Sequence, residues 1–205
     1  MFTGLVQHVG VVRRAERTAT GVRMTVDPAG WTHRPTPGDS IAVNGCCLTM
    51  VHSDGTLAFD VVPETLAVTT LAGWQAGRRV NLEHAATPTT LLGGHLVQGH
   101  IDGVGRVVSN ADAGQGWRLA IELPASISPY MAPKGSVCVD GVSLTIAAFD
   151  PATARLEVAL IPTTLERTTL AALAPGDGVN LEADALAKMV VQYLGVFGRT
   201  PERGA

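Results

Sequence analysis

Short stretches rich in Val, Leu, Ile and Thr alternate with turns rich in Gly, Pro and Asp along most of the chain. About six such stretches fall before residue 85 and about six between residues 103 and 183, a spacing typical of small all-β domains. Short strands with one polar face cannot leave long edges unpaired, and closure into a barrel removes those edges. We therefore predict an all-β fold of two six-stranded Greek-key barrels in tandem.

The two halves are copies of one another. Residues 38–50 (GDSIAVNGCCLTM) match 134–146 (KGSVCVDGVSLTI) at 5 of 13 positions, and 59–71 match 158–170 at 6 of 13. The tetrapeptide VNLE recurs intact at 80–83 and 179–182. A repeat defines the architecture before any residue is assigned a role, so we predict two domains, 1–95 and 96–183. Two similar pockets in one chain suit a reaction between two copies of one molecule.

The period changes near the C-terminus. Over residues 184–198 the apolar side chains recur at the three- and four-residue spacing of one helix face. Asp184 is placed to cap this helix and Gly198 to end it. Such a helix either packs on its own barrel or pairs with the same helix of other subunits. Residues 199–205 form a polar tail.

Composition narrows the range of partners. The net charge is −3 and no run of Lys or Arg occurs, which argues against nucleic acid or an anionic membrane. Residues 1–12 lack the pattern of a secretory signal, and no apolar run is long enough to span a membrane. Three cysteines, two of them adjacent, do not make a disulfide framework, so we expect a reduced, cytoplasmic protein.

Positions where the copies differ are the candidates for chemistry. Cys47 aligns with Ser143, and each is either a small strand residue or a nucleophile. Thr49 and Thr145 occupy one position in both copies, as residues suited to a strand or as hydroxyls aimed at a ligand. Glu64 aligns with Thr163 and Leu5 with His100, both changes of polarity.

The Gly-rich stretch 93–103 contains His95 and His100. Its spacing does not support a metal site. His100 is either a structural histidine in a turn or a general base, because imidazole titrates near neutral pH. The chain has no phosphate-binding loop, no dinucleotide fingerprint and no nucleophile elbow, so chemistry must depend on side chains and bound substrate.

Six motifs in this order, MFTGLVQHVG, GDSIAVNGCCLT, PETL, GGHLVQGHIDG, KGSVCVDGVSLT and ERTTL, resemble the riboflavin synthase family of two-barrel lumazine-binding proteins. The resemblance extends from Met1 to about Glu182. It implies a transferase that dismutates two molecules of 6,7-dimethyl-8-ribityllumazine by moving a four-carbon unit. The products are riboflavin and 5-amino-6-(ribitylamino)uracil, and no cofactor is needed.

The resemblance also implies a homotrimer, held by the C-terminal helices and by contacts between barrels. Its active site lies between the N-terminal barrel of one subunit and the C-terminal barrel of the next. Lumazine synthase is a further partner that the family context raises.

The family's substrate contacts transfer onto matching positions here. For the N-terminal barrel they are Gly4, Leu5, Val6, Cys47, Leu48, Thr49, Asp60, Val61, Val62, Pro63, Glu64 and Thr65. For the C-terminal barrel they are Gly99, His100, Ile101, Lys134, Ser143, Leu144, Thr145, Ala159, Leu160, Ile161, Pro162, Thr163 and Thr164. The chain departs from the family at Thr163, where glutamate is frequent.

Five of the residues at matching positions are the candidates for catalysis: Phe2, Ser40, Cys47, His100 and Ser143. We expect His100 to accept the proton of the donor's C7 methyl group, and Cys47, or a water beside it, to add to the acceptor ring. Serine and threonine hydroxyls at 40, 49, 143 and 145 would bind the pyrimidinedione edges, and Phe2 would stack on or enclose the ring.

The alternative is a non-catalytic binder of the antenna type, which holds one lumazine or flavin. Lys134, His100 and Ser143 are all present in the second copy. A protein that used only its first barrel would not need them, so we favour catalysis.

Overall fold

The first half of the chain forms a closed barrel of six antiparallel strands in the order β1-β2-β5-β4-β3-β6. The computed structural model describes residues 1–198 except Gln115, so the predicted polar tail, 199–205, lies outside the described residues. The strands are β1 (His8–Thr18), β2 (Gly21–Asp27), β3 (Ser40–Val43), β4 (Cys46–Ser53), β5 (Leu57–Val61) and β6 (Arg79–His84).

The second half repeats this topology as β7-β8-β11-β10-β9-β12, again closed. Its strands are β7 (Gly103–Asp112), β8 (Trp117–Glu122), β9 (Ser136–Val139), β10 (Val142–Asp150), β11 (Arg155–Leu160) and β12 (Gly178–Ala183). The predicted pair of six-stranded barrels is confirmed.

Even the irregularities of the barrels are duplicated. The register of β1 against β2 shifts between Val12 and Arg14, and that of β7 against β8 shifts between Val107 and Ser109. The fourth strand of each barrel has a matching shift, after Met50 and after Ile146. Bulges of this kind bend strands, as closure of a small barrel requires.

Each barrel has its own apolar core, because alternate strand residues point inward. Met24, Ile41 and Phe59 are fully buried in the first core, and Leu119, Ile121 and Ile146 in the second.

Short helices follow the fifth strand of each barrel. They are α1 (Pro63–Val68) and α2 (Pro162–Arg167), and both begin with the proline that sequence aligns. Proline favours this first position, because the N–H it lacks would have no partner inside the helix. Single 3₁₀ turns occur at Thr70–Gly73, Ser128–Tyr130 and Leu170–Ala172.

The predicted C-terminal helix is α3 (Ala185–Phe197). The Asp184 side chain caps it by accepting a hydrogen bond from the Leu186 N–H at 2.8 Å. Its apolar face does not pack on either barrel: Leu186, Met189, Val190, Tyr193, Leu194 and Phe197 are each more than half exposed. In the part of the chain that the structure describes, no helix has the length and apolarity to cross a membrane.

Candidate functional site

Two crossing segments place the candidate residues. The first crossing segment (residues 1–6) precedes β1, and the second (residues 97–101) precedes β7. They meet in an antiparallel bridge, in which the Phe2 N–H donates to Val97 O at 2.7 Å and the Val97 N–H donates to Phe2 O at 3.1 Å. Each segment then runs along the fourth strand of the opposite barrel.

One backbone hydrogen bond ties each crossing segment to that strand. The Cys47 N–H of the first barrel donates to Gly99 O at 2.9 Å, and the Ser143 N–H of the second donates to Gly4 O at 2.8 Å. A Cβ atom at residue 99 would lie 2.5 Å from the Cys47 Cβ, and one at residue 4 would lie 2.6 Å from the Ser143 Cβ. Only glycine allows this approach, and both residues also have positive φ, 82° and 73°.

The structure therefore corrects the expected assignment of contacts to barrels. The sequence grouped Gly4, Leu5 and Val6 with Cys47, and Gly99, His100 and Ile101 with Ser143. In the structure Ile101 packs against the first core and Val6 against the second. The internal alignment correctly paired the two segments as equivalent positions, but equivalence does not show which barrel each one contacts.

The two fourth strands present matching polar faces. Cys47 and Ser143 are half-buried on the outer face of β4 and β10, and Thr49 and Thr145 are exposed two residues later. Ser40 pairs with Thr49 across β3 and β4. Ser40 and Thr49 are thus neighbours in the first barrel, and Cys47 and Ser143 each lie where a crossing segment contacts the opposite barrel.

Some predicted contacts point inward instead. Leu48, Val61, Leu144 and Leu160 belong to the two cores, so any ligand contact would come from their backbone atoms. Phe2 is fully buried against Ala42, Val97 and Cys138 between the barrels. The expectation that Phe2 stacks on or encloses a ring is corrected, because its fully buried side chain cannot face a ligand.

The ends of β5 and β11 border the same faces. Asp60 is held by the Arg23 guanidinium, with Nη2 to Oδ2 at 2.8 Å, and this pair keeps the pKa of the Asp60 carboxyl below its usual range. Val62 and Ile161 expose large apolar side chains, which suits contact with a flat ring. The neighbouring predicted contacts Pro63, Glu64, Ala159, Pro162 and Thr163 are exposed, and Thr65 and Thr164 are half-buried.

An open cleft of about 700 Å³ separates the first crossing segment from α2. Leu5 and Val6 line one side of it, and Glu166 and Arg167 line the other. Its volume lies within the range of ligand pockets.

His95 is the residue that the sequence argument undervalued. Its Nδ1 lies 2.7 Å from the Ser143 Oγ, while its Nε2 is buried and has no hydrogen-bond partner within residues 1–198 as the structure describes them. Burial lowers the pKa of this imidazole, which favours its neutral form. The alignment of the copies pairs Gly4–Val6 with Gly99–Ile101 and so does not compare His95 with a residue of the first copy. His100 itself is exposed.

The backbone of Lys134 lies in the left-handed region. It has φ of 68°, and the aligned residue of the first barrel is Gly38, with φ of 98°. A lysine in the left-handed region costs about 1–2 kcal/mol. Strain of this kind collects at functional positions, which supports Lys134 as a site residue.

Comparison with known proteins identifies the family. The model of the "Lumazine binding domain" matches residues 3–85 and again 98–184. The chain belongs to the lumazine-binding family. Within this family it is 45% identical to the riboflavin synthase of Mycobacterium tuberculosis over 197 residues, covering 95% of this chain and 98% of that protein. It is 35% identical to the riboflavin synthase of Bacillus amyloliquefaciens, covering 95% and 90%. The resemblance to riboflavin synthases is confirmed, and the chain is an enzyme of the transferase class.

Solved structures of lumazine-binding proteins share this fold. LumP complexed with 6,7-dimethyl-8-(1'-D-ribityl) lumazine matches with a TM-score of 0.79 at 25% identity, over 89% of this chain and 99% of that one. LumP complexed with riboflavin matches with a TM-score of 0.80 at 26% identity and the same coverage.

Proposed function

We propose that this protein converts two molecules of 6,7-dimethyl-8-ribityllumazine into riboflavin and 5-amino-6-(ribitylamino)uracil. The observation that carries the proposal is the pair of similar but unequal faces. The first offers a thiol beside Gly99 and the segment bearing His100; the second offers Ser143 hydrogen-bonded to His95. The barrel fold that the two halves share would bind two identical molecules. The differences between the faces would make one molecule the donor and the other the acceptor. The substrate is itself an activated heterocycle, so the reaction needs no cofactor.

The chain's own groups match the steps of such a dismutation. A base must remove a proton from the C7 methyl group of the donor, and His100 is the candidate. A nucleophile must add to the acceptor ring, and Cys47, or a water beside it, is the candidate. Ser143 with neutral His95 supplies a second hydroxyl-and-base pair. Holding two rings face to face contributes most, about 7–11 kcal/mol of the barrier.

A mixing experiment tests the proposal. Purified protein is incubated with 6,7-dimethyl-8-ribityllumazine, and the riboflavin absorbance band is followed. We expect one riboflavin for every two lumazines consumed.

An antenna-type binder is the second candidate, because the chain shares its fold with LumP, which was solved with a lumazine, riboflavin or FMN bound. In that case the lumazine would stay bound and fluorescent without turnover, and the enzymatic proposal would be wrong.

Cys47→Ser and His100→Gln should each lower kcat by about 10²-fold, the lower end of what one acid–base group contributes, and leave measurable activity. Positioning of the substrates survives both changes, because both side chains are outside the cores. Steady-state riboflavin formation measures the effect. Cys46→Ala is the matched control, since burial raises the pKa of this inward-facing thiol to about 12 and kcat should not change. A variant that binds lumazine but is fully inert would contradict a positioning-dominated reaction.

We further propose a homotrimer in which the apolar face of α3 contacts its counterparts and barrels meet across subunits. Its support is the exposed run of large apolar side chains on α3, too extensive for a free surface. The three free thiols fit a cytoplasmic location. Association with lumazine synthase stays a prediction of the family context.

Deleting the residues after Asp184 should release monomers, as measured by sedimentation velocity. Leu194→Glu should do the same while keeping α3 and the contact of Lys188 Nζ with Asp102 at 3.0 Å. If both variants stay trimeric, the barrels suffice for assembly and the role given to α3 is wrong.

A further inference from the structure

The repeated tetrapeptide VNLE ends in two buried carboxylates that the mechanism above does not use. Glu83 closes the VNLE of β6 and Glu182 that of β12, and they are only 3% and 1% exposed. Among the described residues, neither carboxylate forms a salt bridge. A buried carboxylate without a cation is costly unless its oxygens accept hydrogen bonds.

Both carboxylates find their donors on the crossing segments. Glu182 Oε1 accepts from the Gln98 N–H at 2.7 Å, and its Oε2 accepts from the N–H groups of Gly99 at 2.8 Å and His100 at 3.1 Å. Glu83 Oε1 accepts from the Thr3 N–H at 2.6 Å and hydroxyl at 2.7 Å, and its Oε2 accepts from the Gly4 N–H at 3.0 Å. Each carboxylate therefore holds three donors on two or three consecutive residues.

The segments are anchored at Phe2, Val97, Val6 and Ile101, but the glycines between these residues depend on backbone hydrogen bonds. Gly4 and Gly99 have no side chains to pack, and His100 and Leu5 beside them are exposed. Hydrogen bonds to an ionised acceptor are roughly twice as strong as neutral ones. Burial raises the pKa of both carboxyls and the donated hydrogen bonds lower it, so the N–H groups help keep the charge in place.

We propose that Glu182 and Glu83 are positioning residues, each of which completes the pocket on the opposite barrel. Glu182, in the second barrel, holds Gln98–His100 against Cys47 of the first. Glu83, in the first barrel, holds Thr3 and Gly4 against Ser143 of the second. The effect on substrate rests on the proposed function, whereas the hydrogen bonds that join each segment to its carboxylate do not.

The test uses Glu182→Gln and Glu83→Gln in the full chain, each the control for the other. An amide keeps the size of the carboxyl group but replaces one acceptor oxygen with a donor, so at least one segment N–H loses its partner. Hydrogen exchange should become about 10-fold faster at residues 98–100 in E182Q only and at residues 3–4 in E83Q only.

Cys47 provides a readout that general destabilisation would not reproduce. The second crossing segment covers this half-buried thiol, so iodoacetamide should alkylate Cys47 about 10-fold faster in E182Q and at the wild-type rate in E83Q. Cys46 and Cys138 are buried, so their alkylation in either variant would report global unfolding. Equal changes in the two variants, or no change in either, would overturn the proposal.

Catalysis then separates this proposal from the proposed function. If wild-type protein makes riboflavin, E182Q should lower kcat about 10-fold, because it displaces the segment carrying His100. Suppose that exchange and alkylation change as expected in each variant but the wild type forms no riboflavin. The positioning role of Glu182 and Glu83 would then hold, and the proposed enzymatic function would be wrong. If E182Q does not fold, Glu182→Asp and Thr3→Val are milder: the first keeps the charge with a shorter reach, and the second removes the hydroxyl bond to Glu83 and the bond that this hydroxyl accepts from the Leu5 N–H. Glu182→Asp should speed hydrogen exchange only at residues 98–100, and Thr3→Val only at residues 3–4. Faster exchange in both segments or in neither would overturn the proposal.

Discussion

Gly99→Ala should lower the free energy of unfolding by about 3 kcal/mol and disrupt the pocket on the first barrel. Two costs add. An alanine at φ of 82° enters the left-handed region at about 1–2 kcal/mol. Its methyl group would lie 2.5 Å from the Cys47 Cβ and 3.0 Å from the Phe2 ring, and overpacking of this kind typically costs about 1–3 kcal/mol. The second crossing segment must therefore move away from β4, which breaks the bond from the Cys47 N–H to Gly99 O.

Urea unfolding of the full chain measures the first effect, and titration with riboflavin measures the second. Gly30→Ala is the matched control, because Gly30 has φ of 88° but nothing within 4 Å of its added Cβ. This variant should lower the free energy of unfolding only by the cost of the left-handed conformation, about 1–2 kcal/mol, and should still bind riboflavin. If the two variants prove equally stable and bind equally, close approach at Gly99 is not what requires glycine.

The barrels could be predicted from sequence because their signals are local and repeated. Stretches rich in Val, Leu, Ile and Thr between Gly, Pro and Asp turns defined the strands, and the duplication showed that both halves share one topology. The C-terminal helix followed from its three- and four-residue period and its Asp184 cap. These features depend on which neighbours each residue has along the chain, so a single sequence contains them.

The pocket could be predicted only in part because it depends on how the two copies dock. The alignment correctly paired Gly4 with Gly99 and Cys47 with Ser143, but the crossing of the segments has no sequence signature. The pairing of His95 with Ser143 was missed because the aligned windows began at Gly99 and did not include His95. Strand alternation could have excluded one group of side chains: Leu48 and Leu144 lie between outward-facing residues, and so point into the cores.

The docking also produces a polar network between the barrels that sequence reasoning did not foresee. Asn81 Nδ2 donates to Asp140 O at 2.8 Å, and Asn180 Nδ2 donates to Asn44 O at 2.9 Å. Asn44 Oδ1 and Asp140 Oδ1 accept from the N–H groups of Asn81 and Asn180, respectively. The network is nearly symmetric, and its one difference in kind is an acid, Asp140, where the first copy has the amide of Asn44.

Asp140→Asn should raise the free energy of unfolding at pH 8 by about 2–4 kcal/mol and change it little at pH 4. Asp140 is fully buried, and its Oδ2 has no hydrogen-bond partner in the part of the chain that the structure describes. Burial raises its pKa to about 7 despite the hydrogen bond from the Asn180 N–H and the opposing charge of Arg78. Between about pH 4 and pH 7 the folded chain keeps a proton that the unfolded chain has released. Stability therefore falls as pH rises through this window and stays at the lower level above it.

The difference between variant and wild type isolates this group, because the buried carboxyls Glu83 and Glu182 titrate in both proteins. Asn44→Asp is the reciprocal change at the equivalent turn, where φ is 44° against 46° at Asp140. It introduces a second buried acid into this asparagine network, so it should destabilise the protein at pH 8 and have little effect at pH 4. Urea unfolding at pH 8 and at pH 4 measures the stability of both variants and of the wild type. Equal pH dependence in wild type and Asp140→Asn would mean that Asp140 already ionises freely in the folded chain, and the asymmetry between the copies at this turn would have no energetic consequence.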